Sequence, residues 1–97
     1  MPIAYWITTY YNISDIGKVN AYAKLAGPAI EGHGGRYLAR GIPSAVYESG
    51  IAERTVLTAF PSVEHAIKAH DSLEYSEALK ALGNGATREI RIVEGID

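Results

Sequence analysis

Cysteine is missing from this chain of 97 residues. Its absence excludes disulfide cross-links, thiolate nucleophiles and thiolate metal ligands together. Basic runs are also missing. Nine Lys+Arg face eleven Asp+Glu, for a formal net charge of −2. Binding to a phosphate backbone needs a basic stripe, and base stacking on a sheet needs a basic-aromatic block. Neither is present, which argues against a nucleic-acid partner. The segment MPIAYWITTYYN has no basic start and no long apolar run. The expectation is therefore no signal peptide, no membrane association and a cytoplasmic location. There is no HExxH, and His65 and His70 stand five apart, off a shared helical face, so no metal site is expected. The glycine-rich GHGG and GNG lack nucleotide-binding fingerprints, and no cofactor is expected. No nucleophile elbow is visible either. Phenylalanine and tryptophan occur once each, whereas tyrosine occurs seven times.

What is present is short and apolar. Residues 1–97 read as one domain. Ile3 to Tyr11 is rich in β-branched and aromatic residues and predicts a strand, with Tyr5, Ile7, Thr9 and Tyr11 on one face and Trp6, Thr8 and Tyr10 on the other. Ser14 or Asp15 caps a helix whose stripe is Ile16, Val19, Ala23, Ala26, Ile30 and His33. Pro28 predicts a kink or break near Gly27–Pro28, and Gly34–Gly35 a left-handed stop. Arg36 to Ile42 reads as a strand with Leu38, Arg40 and Ile42 on one face and Tyr37, Ala39 and Gly41 on the other. Pro43 to Gly50 reads as a loop or arm, and Glu53 to Phe60 as the third strand. Ser62 caps a short helix. Asp71, with Glu74 at capping-box spacing, starts another that Gly83 ends. Thr87 to Ile96 is the last strand.

The order is β-α-β-β-α-β, with the second helix split. It predicts an α+β, ferredoxin-like protomer: a four-stranded antiparallel sheet with its helices on one face. With 47% of residues hydrophobic, the other sheet face is expected to be apolar and covered by a second copy.

The runs HGGRYLARG (33–41), ERTVLTAFPSVEHA (53–66), SLEYSEALKAL (72–82) and IRIVEGID (90–97) resemble the bacterial family known as domain of unknown function 1330. The resemblance covers essentially the whole chain. It implies a dimeric α/β barrel in which two ferredoxin-like protomers pack sheet to sheet. The wider superfamily holds small monooxygenases that work without metal or flavin, lactone isomerases and haem-handling enzymes. One departure concerns the segment before Glu53, which in similar proteins carries an acidic-Gly-x-Trp element. Here it reads ESGIAE.

Five residues stand out as candidate site groups. Arg40 suits a bidentate clamp on a carboxylate or enolate oxygen, or else an internal ion pair with Glu53 or Glu94. Outside these five, Arg54 reads as a rim salt bridge. His33 is the candidate catalytic base, or alternatively a cap on the helix C-terminus. Tyr22 and Tyr75 lie on helices expected to face the sheet, each with a hydroxyl for a half-wet cavity. Trp6 reads as a cavity wall, or as a core or dimer residue. The combined expectation is a homodimer that binds a small anionic or carbonyl compound and carries out proton transfer or cofactor-independent oxidation. A non-catalytic ligand-binding or accessory dimer is the alternative.

Overall fold

A computed structural model of the chain describes residues 2–96. The expected domain, 1–97, extends one residue further at each end, and Met1 and Asp97 lie outside the described residues. The elements are β1 (Ala4–Ile13), α1 (Ile16–Gly32), β2 (Arg36–Gly41), β3 (Thr55–Phe60), α2 (Val63–His70), α3 (Leu73–Leu82) and β4 (Ala86–Glu94). The sheet order is β2-β3-β1-β4, and every neighbouring pair is antiparallel. This is the ferredoxin-like arrangement.

Strand β1 alternates as its pattern requires. Ala4, Trp6, Thr8 and Tyr10 are buried, and Tyr5, Ile7 and Thr9 are only half-buried. The buried set joins Val19, Tyr22, Ala26 and Ile30 of α1 and Tyr75, Ala78 and Leu82 of α3 in one core. The helices therefore cover one sheet face. The opposite face leaves Tyr11 and Val93 exposed at 42% and 49%.

The caps follow from local chemistry. Asp15 accepts from the Lys18 N–H at 3.1 Å and starts α1. Ser62 accepts from the His65 N–H and Ser72 from the Tyr75 N–H, each satisfying an otherwise unpaired donor of a first turn. The third helix is thus capped one residue later than expected, by Ser72, and Asp71 instead ends α2. Pro28 does not break α1. The helix runs through it, because Ala29 and Ile30 beyond it are buried in the core and hold the last turn in place. Gly34, at φ +90°, then turns the chain, and the Gly35 N–H closes back on the Ile30 carbonyl at 2.9 Å.

Strand β2 departs from simple alternation. Tyr37 pairs with Thr58 and Arg40 with Val56, with a register shift between Tyr37 and Ala39. Leu38 is the extra residue of a β-bulge. Thr58 and Val56 are buried on the helix side, so Tyr37 and Arg40 share that face. The expected pairing of Arg40 with Leu38, opposite Tyr37, is corrected: strict period-two counting fails across an inserted residue.

Candidate functional site: a tyrosine-arginine cleft

A narrow cleft lies between α1 and the helix-facing side of the sheet. Its cavity is about 30 Å³, enough for roughly two or three waters. Its walls are apolar where α1 contributes Val19, Ala23, Ala26 and Ile30. They are polar where Tyr10, Tyr22 and Tyr37 meet three arginines, Arg40, Arg54 and Arg88. No Asp or Glu lines it.

Arg88 is the group around which this arrangement is built. It stands opposite Tyr10 in the β1–β4 ladder, on the same face as Ile90 and Ile92. Its side chain is half-buried and donates to the Tyr10 hydroxyl at 3.3 Å and the Tyr75 hydroxyl at 3.2 Å. The guanidinium carbon sits 4.4 Å from the Tyr22 ring centroid and 5.5 Å from that of Tyr10. Among the described residues the ion pairs are His70–Asp71, Lys80–Glu77 and Arg91–Glu89. Arg88 therefore has no carboxylate there. Burial works against its charge, but Tyr22, Tyr75 and Tyr10 more than offset this and hold the group firmly protonated.

The phenols form a connected set. The Tyr22 and Tyr75 hydroxyls are 2.7 Å apart, and the two rings meet edge to face at 5.9 Å. Tyr75 also packs edge to face on Trp6 at 5.2 Å. Burial pushes the Tyr75 hydroxyl far above the usual phenol value. Burial also raises Tyr10 and Tyr37. These phenols are protonated at neutral pH and serve as hydrogen-bond donors, not bases.

The structure brings four of the five expected site residues together. Tyr22, Trp6 and Arg40 line the cleft, and Tyr75 is bonded to its wall. Trp6 is fully buried, and its indole N–H donates to the Thr8 hydroxyl at 2.9 Å, so only part of its ring is offered to a ligand. The Arg40 guanidinium lies over the Tyr37 ring at 4.5 Å. Among the described residues it makes no ion pair with Glu53 or Glu94, and Glu94 lies on β4, at the opposite edge of the sheet. Arg54 also lines the cleft; the Glu53 carboxylate accepts from its backbone N–H at 2.9 Å. The expected rim salt bridge is not among the ion pairs of the described residues.

His33 does not join this group. It caps α1, with Nδ1 2.9 Å from the Ala29 carbonyl, and borders a separate open depression with Gly34, Pro61, His65 and Lys68. Its place at the end of α1 puts it beyond the last buried turn, on the far side of Ile30 from the cleft. Arg88, Tyr10 and Tyr37 were missed by sequence reasoning. The signal for Arg88 was available: it shares the period-two phase of Ile90 and Ile92.

The βαββαβ order and the four-stranded antiparallel sheet make this a ferredoxin-like fold. More narrowly, the chain belongs to the family described as domain of unknown function (DUF1330), whose model matches residues 3–96. None of the curated proteins matches it. Among solved structures it is similar to the RPA0582 protein of unknown function from Rhodopseudomonas palustris. The TM-score is 0.77 at 14% identity, covering 99% of this chain and 84% of that one. It is also similar to a putative antibiotic biosynthesis monooxygenase from Caulobacter crescentus CB15, with TM-score 0.69 at 12% identity over 99% and 92% of the two chains. A third is SnoaB, a cofactor-independent oxygenase from Streptomyces nogalater, with TM-score 0.65 at 9% identity over 100% and 96%. At these identities the likeness is one of fold.

Proposed function

We propose that this protein binds a small organic anion or carbonyl compound in the cleft between α1 and the sheet. The observation that carries this reading is Arg88: a half-buried cation held by phenols, with no carboxylate partner among the described residues. A carboxylate or enolate oxygen entering the cleft supplies the missing negative charge. Tyr22 and Tyr75, linked hydroxyl to hydroxyl, donate a hydrogen bond to that oxygen and stabilise it as charge develops. The chemistry this supports is stabilisation of an enolate formed by transfer of its proton to water, or oxidation of such an enolate by dioxygen without a cofactor. The second reading, binding without catalysis, is favoured by one observation. Tyr10 and Tyr75, whose hydroxyls accept from Arg88, are pushed up by burial, away from the range of a general base at neutral pH.

The working unit in this reading is a homodimer. Its support is the uncovered sheet face, where Tyr5, Ile7, Leu57 and Val93 stay partly or largely exposed.

Thermal shift and calorimetry with a panel of carboxylic acids, β-keto acids and hydroxyarenes test the binding. At least one should raise the melting temperature. Arg88→Gln should weaken that ligand by about tenfold to a hundredfold, the loss of one charge-assisted contact. A panel without effect on the wild-type protein removes the reading. Oxygen uptake or deuterium exchange into the bound compound separates catalysis from plain binding.

A further inference from the structure

The three cleft arginines have a geometry beyond that of a single anion clamp. Strand register places them. Tyr10 stands opposite Arg88 on one side, and on the other its N–H donates to the Arg54 carbonyl at 3.0 Å. Arg54, Tyr10 and Arg88 therefore form one row across β3, β1 and β4, and all three line the cleft. Two strand spacings separate the outer members, about 10 Å between backbones. Arg40 pairs with Val56, two residues along from Arg54 on the same face, so the two lie on a cross-strand diagonal of about 7–8 Å.

The cations thus fall into two sets. Arg88 forms one pole, with its N–H groups engaged by Tyr10 and Tyr75. Arg40 and Arg54 form the other, with Arg40 exposed over Tyr37. Like charges so close on one sheet face repel each other. Neighbouring carboxylates do not relieve this: the Glu53 carboxylate is bonded to a backbone N–H, and no acid lines the cleft. Between the poles the α1 wall is aliphatic.

Building on the proposed anion-binding function, we propose that the cleft selects a dianion whose two oxyanionic groups are separated by a short apolar spacer. One carboxylate-sized group fills the small interior of the cleft against Arg88 and the Tyr22–Tyr75 hydroxyls; the spacer leaves through the open mouth and carries the other group to Arg54 and the exposed Arg40. Dicarboxylates belong to this class.

Calorimetry of the full chain with matched pairs tests it: glutarate against pentanoate, adipate against hexanoate, and terephthalate against benzoate. Inorganic phosphate, with its charges on one centre, is the control. At least one two-headed compound should bind roughly tenfold or more tighter than its one-headed partner, the gain of one charge-assisted contact. It should also bind more tightly than phosphate. Arg54→Gln should bring the two members of the pair to near-equal affinity. Equal binding of both members in the wild-type protein, or tightest binding by phosphate, overturns this inference and leaves the anion site standing. Failure of every probe overturns both.

Discussion

Removing the Tyr75 hydroxyl separates two roles that this residue combines. Its ring is fully buried against Trp6 and Tyr22, and its oxygen ties Arg88 to Tyr22. Tyr75→Phe keeps the ring and deletes the link, so chemical denaturation should show a loss of about 1 kcal/mol, the worth of an ordinary hydrogen bond. Tyr75→Ala deletes the packing as well and should cost about 3–5 kcal/mol. The same phenols predict a pH dependence. Burial raises the folded-state pKa of Tyr75, Tyr10 and Tyr37 above the ordinary value of 10.0. A group that holds its proton more tightly when folded contributes stability that is fully present below the unfolded value. That stability is lost as pH rises through the folded one. Stability should therefore be insensitive to these groups near neutrality and fall above about pH 10. Absorbance at tyrosinate wavelengths should show part of the ionisation arriving only with unfolding.

At the scale of elements, the junction of α1 with β2 fixes one end of the cleft. Gly35 is buried there, and a methyl group on it would come within 2.6 Å of Ile30 and 2.7 Å of the Phe60 ring. Gly35→Ala should destabilise by about 1–3 kcal/mol, the range for overpacking a filled core. Thermal unfolding measures it. Gly41→Ala in β2, where an added carbon meets nothing within 4 Å, is the matched control and should leave the melting temperature nearly unchanged. The Leu38 bulge acts on the same strand. It rephases β2 so that Tyr37 and Arg40 stack on the helix side.

For the molecule as a whole, the two sheet faces have different fates. One is closed by three helices. The other carries Tyr5, Ile7, Leu57 and Val93, with the Tyr11–Glu89–Arg91 cluster beside the arm that runs from Pro43 to Ile51. A second copy covering this face should make the protein a dimer in sedimentation velocity at micromolar concentration. Ile7→Lys should shift it to a slower-sedimenting monomer with its circular dichroism retained. A wild-type protein that sediments as a monomer overturns the dimer proposal. No described helix is long and apolar enough to cross a membrane.

Alternating residues in β1, Ser62 before α2 and Gly34 after α1 made the βαββαβ order legible from local chemistry, because strand period, caps and left-handed turns are encoded within a few residues. Tyr22 and Tyr75 were legible as site candidates because each lies on a helix expected to face the sheet, and Trp6 because it lies on the first strand. Arg40 was found on a miscounted strand, since a bulge is defined by the partner strand and leaves no local mark. Arg88 became a site residue only when strand pairing set it beside Tyr10 and helix packing brought Tyr75 and Tyr22 over it. His33 looked like a base in sequence, yet folding placed it at a helix end away from the arginines. Local pattern determined the elements and their buried faces. The meeting of three arginines with four tyrosines was decided by contacts between residues far apart in the chain, where register and packing act and no short stretch of sequence can.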